Sequence, residues 1–150
     1  MDIYVKYTAP KPPSGRPNIQ FFADSGCTRS FDPDPIPAGD SVTYTLNPGT
    51  GSSFDFVAIT FWAKDDQGAA SQVARSFQQF KGGSANFGGK EYISDIDAHS
   101  KGTISFTVTN QNDQTQSGYV SFQVTIEDKS LKNLYTSQDP QIELPKNQGP

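Results

Sequence analysis

Two stretches near the end of the chain, TISFTVT and YVSFQVTIED, place an apolar side chain at every second position. Ile104, Phe106 and Val108 share one face of the first. Val120, Phe122, Val124 and Ile126 share one face of the second, with Ser121, Gln123 and Thr125 opposite. A period of two belongs to extended backbone, whose side chains alternate between faces; a helix cannot gather such residues on one side. The polar connection NQNDQTQSG between the two predicts a β-hairpin.

The same period recurs along the chain. DIYVKYT groups Ile3, Val5 and Tyr7, and SVTYTL groups Val42, Tyr44 and Leu46. NIQFFA, EYISDI and PQIELP read as further short strands. FDFVAITFWA is the most apolar stretch, and its parity switches. Phe54 and Phe56 share one face, then Val57, Ile59 and Phe61 the other, which predicts either burial on both faces or a β-bulge near Val57. QVARSFQQF reads as a strand, with a short helix presenting Val73, Phe77 and Phe80 as the alternative. KSLKNLYTSQD reads as a short helical or irregular piece, and KGGSANFGGK as a glycine-rich loop. About eight or nine short strands, with no long helical pattern, predict an all-β fold. The expected architecture is a single-domain antiparallel β-sandwich, immunoglobulin-like in broad class, over residues 1–145, with 146–150 as a flexible tail.

Only 33% of the 150 residues are hydrophobic, so the 11 phenylalanines must supply much of the core. The net charge of −4 and the lack of any Lys/Arg cluster argue against nucleic acid and against anionic membrane surfaces as partners. MDIYVKYTAP has neither the basic nor the apolar region of a signal peptide, and no apolar run reaches the ~18 residues of a membrane span. A cytoplasmic location is the expectation. The lone Cys27 precludes an intramolecular disulfide.

FDPDPIPAGDSVTYTL shows how one strand begins. Pro33, Pro35 and Pro37 fix φ and hold the residues before them out of the helical region. The segment reads as a stiff crossing between sheets and not a ligand site, turning at Ala38-Gly39-Asp40 into the Val42 strand.

Several residues are candidates for chemistry. Asp32 with Asp34, Asp65 with Asp66, and Asp95 with Asp97 offer oxygen ligands for Ca²⁺, although Asp also favours turns through bonds to its own backbone. His99, the single histidine, could act as a general base with Asp95 or Asp97, but no nucleophile is suitably placed and no G-x-S-x-G occurs. One His, one Cys and one Met are too few for a usual zinc or blue-copper site, so no cofactor is expected. Cys27 beside Arg29 is either a reactive thiol or, more commonly, a small buried hydrophobe. Aromatics combined with amides suit carbohydrate, because rings stack on sugar faces while amides bind hydroxyls. Trp62, Asn86, Phe87, Asn110 and Asn112 are the candidate ligand-binding residues, with core aromatics and turn amides as the plainer alternative.

DPDPIPAGDSVTYTL, FDFVAITFW and the terminal DPQIELP together resemble a small bacterial family known as DP-EP proteins, named for Asp-Pro and Glu-Pro motifs. The chain departs from the pattern where Leu144 splits Glu143 from Pro145. The resemblance implies a small β-rich protein and no particular activity. The expected function is a non-enzymatic binding or interaction module, with an unknown protein or a carbohydrate as partner. The alternatives are an enzyme using His99 with Asp95 or Asp97, and a structural subunit of a phage or secretion particle.

Overall fold

A computed structural model describes residues 1–10, 18–49, 52–65, 70–76, 83–87, 90–98, 102–112, 117–138 and 140–145. Their strands are β1 (Asp2–Thr8), β2 (Asn18–Phe22), β3 (Ser41–Pro48), β4 (Phe54–Asp65), β5 (Ala70–Ser76), β6 (Gly83–Phe87), β7 (Lys90–Ala98), β8 (Ile104–Thr109), β9 (Gly118–Asp128), β10 (Leu134–Thr136) and β11 (Gln141–Leu144). No helix is present among the described residues, and so none long and apolar enough to cross a membrane.

The strands form two sheets. The first has the order β2-β1-β3-β8-β7-β6. The second has the order β10-β9-β4-β5, with β11 pairing β9 beside β10. The pairings are antiparallel except that of β1 with β3, which is parallel. The alternation read from the sequence fits the burial of the inward residues of β8 and β9: Ile104, Phe106, Val108, Val120, Phe122, Val124 and Ile126 are all at most 1% exposed.

One expectation fails in an informative way. TISFTVT and YVSFQVTIED are not the arms of a hairpin. β8 pairs β3 and β7 in the first sheet, whereas β9 pairs β4, β10 and β11 in the second. Alternation reports which side of a strand faces the core, not which sheet holds it. Here the two strands face the same core from opposite sides. The Phe106 ring lies 4.9 Å from that of Phe61 and 5.4 Å from that of Phe122, both in the other sheet.

The parity switch in FDFVAITFWA is a β-bulge. Phe56 opposes Ile126 and Ala58 opposes Thr125, so two consecutive residues of β9 face a β4 segment with Val57 as the extra residue. Phe54, Phe56, Ile59 and Phe61 thereby all reach the core. Two other segments depart from the reading. The glycine-rich KGGSANFGGK contains β6, which pairs β7 through an irregular register. KSLKNLYTSQD turns at Lys129–Asn133 and contributes β10, because Leu134–Thr136 meets the end of β9 at Thr125–Glu127. QVARS is a strand as expected; Phe77 and Phe80 lie outside the described residues, as does the 146–150 tail.

The proline-rich segment also differs from expectation. β2 and β3 flank β1 in one sheet, so the segment crosses β1 and does not carry the chain to the other sheet. It touches the second sheet at Ile36. Pro35 and Pro37 have no N–H, and the Ile36 N–H between them donates to the Glu143 carbonyl at 3.2 Å. The Ile36 side chain is 1% exposed and anchors the segment in the core. The turn that follows is as predicted: Asp40 N–H donates to the Pro37 carbonyl at 3.0 Å, with Gly39 at φ +84°.

Candidate functional site

Asn110 and Asn112 follow β8, and both are buried. Asn110 Nδ2 donates to the carbonyls of Ile36 at 2.7 Å and Pro145 at 3.0 Å. Its Oδ1 accepts the Asn112 N–H at 2.9 Å, and Asn112 Nδ2 donates to the Leu144 carbonyl at 2.5 Å. Tyr92 Oη donates to Asn112 Oδ1 at 3.2 Å. The two amides thus close the gap between the end of β8, the proline-rich segment and the end of β11. Their donors are engaged with backbone carbonyls, which assigns them a task in holding the fold.

Trp62 occupies a different place. Phe61 is fully buried, so its neighbour in β4 faces away from the core, where it is half-buried. In register Trp62 opposes Ser121, and Ser121 opposes Gln141 on β11. Tyr119 stands two residues before Ser121 on the same face and opposes Glu143. Trp62 and Tyr119 are therefore diagonal neighbours, about 7–8 Å apart at the backbone, within reach of aromatic side chains. Ser121 is only 4% exposed although it points away from the core, so side chains on this face close over it.

A groove of about 550 Å³ opens beside this pair, lined by Asp32, Pro33, Ser117, Gly118, Tyr119, Gln141 and Glu143. Asp32, Gln141 and Glu143 are exposed and Tyr119 is half-buried. The groove brings together the two ends of the chain's most distinctive motifs: Asp32-Pro33 from FDPDPIP, and Gln141 and Glu143 from DPQIELP. Other grooves, of about 460 Å³ at the start of β3 and 340 Å³ along β2, are lined without a Trp–Tyr pair beside them. A half-buried aromatic floor with carboxylate and amide walls can stack a pyranose ring and accept or donate hydrogen bonds to its hydroxyls.

Asn86 and Phe87 fall in β6 of the first sheet, opposite Glu91 and Lys90, whereas Trp62 belongs to the second sheet. His99 and Asp66 lie outside the described residues. Asp95, at φ +53°, and Asp97 sit where the register of β7 shifts against β8. Among the described residues no three His, Cys, Asp or Glu side chains gather as metal ligands would. Cys27 is half-buried in a turn that Asp24 organises: its carboxylate accepts from Thr28 Oγ1 at 2.6 Å and the Arg29 N–H at 2.8 Å. These bonds, led by the Thr28 hydroxyl, hold the Asp24 carboxyl below its ordinary range.

The strongest electrostatic feature joins the sheets. Tyr7 of β1 donates its hydroxyl to Asp128 Oδ2, at the end of β9, at 2.5 Å. The other carboxylate oxygen accepts from the Ser130 N–H, the Ser130 hydroxyl and the Leu131 N–H at 2.8–2.9 Å. The Tyr7 bond first, then the turn donors, lower Asp128 to about 2. Burial first, then the Asp128 bond, raises Tyr7 well above its ordinary value. Tyr7 also stacks on Tyr135 of β10 at 5.9 Å. One Asp128 oxygen is held by the β9–β10 turn and the other by Tyr7 of the first sheet, so the pair is a clamp between sheets.

Of the residues around the groove, sequence reasoning singled out Trp62 as a ligand-binding candidate and Asp32 only as an oxygen donor for Ca²⁺. The alternation of YVSFQVTIED already places Tyr119 on the face opposite Val120, but only the register between strands brings it to Trp62. No protein-family model and no curated protein sequence matches the chain.

Proposed function

We propose that the protein is a non-enzymatic, immunoglobulin-like β-sandwich that binds carbohydrate on the outer face of its second sheet. The observation that carries this reading is the diagonal placement of Trp62 and Tyr119 beside the groove walled by Asp32, Gln141 and Glu143. The strand register fixes the two backbone positions from which the rings project, so a sugar face meets a platform whose base is ordered in advance. Gln141 supplies both a donor and acceptors, and the two carboxylates accept from hydroxyls. These are the groups a neutral pyranose needs. The two-sheet stacking through Phe61, Phe106 and Phe122 supports the sandwich, and the parallel β1–β3 pair is compatible with an immunoglobulin-like variant.

Trp62 is the only tryptophan, so its emission reports on this site alone. A glycan array followed by titration of the hits against Trp62 fluorescence tests the reading. Neutral or amine-bearing oligosaccharides should shift the emission, and Trp62→Ala and Tyr119→Ala should each weaken binding at least tenfold by calorimetry, with the fold intact. Binding unaffected by both substitutions, or no oligosaccharide bound, overturns it.

A further inference from the structure

We propose, resting on the carbohydrate reading above, that the groove selects sugars bearing a free amine over acidic sugars, with Asp32 and Glu143 making the choice. Asp32 comes from the proline-rich segment and Glu143 from β11. Both are exposed and both line the same ≈ 550 Å³ groove. Among the described residues, the rest of the lining, Pro33, Ser117, Gly118, Tyr119 and Gln141, brings no cation. Lys64 is, among the described residues, the basic residue placed nearest by the register. It opposes Tyr119 from the side away from Glu143, so β9 separates the two positions by two strand spacings, about 9–10 Å.

The physical case is direct. A pyranose stacked on the aromatic floor turns its ring substituents toward the walls. A protonated amine there forms charge-assisted bonds to carboxylate, stronger than those a hydroxyl makes. A uronate in the same place meets like charge and has no cationic partner among the described lining residues. The chain's overall charge of −4 adds repulsion of the same sign. Because both carboxylates are exposed, water and salt attenuate the effect, so a preference of about five- to tenfold is expected, falling as ionic strength rises.

The test uses three probes of equal length: a β-1,4-linked glucosamine tetramer, its fully N-acetylated counterpart and a galacturonate tetramer. Each is titrated at pH 5.5, where ordinary carboxylates are ionised and the sugar amine is protonated. The glucosamine tetramer should bind about five- to tenfold tighter than the acetylated one, and galacturonate weakest. In Asp32→Asn with Glu143→Gln the ratio of the first two affinities should fall to about one, whatever the change in the acetylated tetramer's own affinity. Equal affinity for all three, tighter galacturonate, or a preference that survives the double substitution overturns the selectivity and leaves carbohydrate binding standing. Failure of all three to bind, by both Trp62 emission and calorimetry, overturns the carbohydrate reading and the selectivity with it.

Discussion

Phe106 of β8 and Phe122 of β9 face each other across the two sheets, ring centroids 5.4 Å apart and planes tilted by 58°. Both are fully buried, and Phe106 also meets Phe61 and Tyr44 while Phe122 meets Phe21. Phe122→Ala should cost ~3–5 kcal/mol as a large-to-small core change, and Phe106→Ala a similar amount. Because the rings touch, the double variant should lose less than the sum of the two, by ~0.5 kcal/mol or more. Denaturant melts of the four proteins measure this. Strict additivity would mean that the rings are not neighbours.

The buried amide of Asn110 makes a sharper prediction. Asn110→Ala leaves the carbonyls of Ile36 and Pro145 and the Asn112 N–H without this partner, so the loss should be ~1–3 kcal/mol or more. Asn110→Asp should be worse near neutral pH, because a carboxylate oxygen then faces carbonyl oxygens in place of an N–H donor. A carbohydrate-contacting role for Asn110 predicts the reverse, with binding lost and stability kept.

In the proline-rich segment the anchor is Ile36, and the flanking carboxylates are exposed. Ile36→Ala should cost ~2–5 kcal/mol. Pro33→Ala with Pro35→Ala should cost ~0.4–1 kcal/mol per proline through the freed unfolded chain. Asp32→Asn with Asp34→Asn should stay within about 0.5 kcal/mol in the same urea melts. A larger loss from the Asn pair than from the Ala pair would assign the carboxylates a role in stability.

The Tyr7–Asp128 clamp sets a pH dependence. Asp128 is lowered in the folded state to about 2, so its stabilisation is present above the ordinary carboxylate value of about 4 and is lost as pH falls toward 2. Tyr7 is raised, so its share is present below about pH 10 and is lost as the pH rises beyond that. Tyr7→Phe removes the bond that lowers Asp128 most. Carboxyl NMR should then show Asp128 titrating closer to the ordinary range, with acid unfolding beginning at higher pH. An unchanged Asp128 titration in Tyr7→Phe would contradict the clamp.

The core of this fold was legible because burial follows parity. Ile104, Phe106, Val120 and Phe122 could be assigned inward from alternation, and the parity break at Val57 left a bulge as one of two readings. The partnership of strands was not, because β8 and β9 show the same alternation whether they pair or face each other. The glycines of KGGSANFGGK concealed β6 for a related reason: local composition signals a turn, while a neighbouring strand decides the pairing. Asn110 and Asn112 read as candidate ligand-binding amides, with turn amides as the alternative. Their carbonyl partners on Ile36, Leu144 and Pro145 lie about 30 to 75 residues away in sequence, where no local pattern reaches. Trp62 was visible as a lone aromatic, but Tyr119, Gln141 and Glu143 became its neighbours only through two strand registers.

Backbone amide shift mapping with a neutral β-linked glucose tetrasaccharide locates any binding surface without relying on a substitution. The largest perturbations should cluster at Thr60–Trp62, Gly118–Ser121 and Gln141–Glu143, with the Trp62 indole N–H among them. Perturbations centred instead on the β2 groove at Asn18–Phe22 or on β6, or none at millimolar sugar, would contradict the assignment of the binding surface to the outer face of the second sheet.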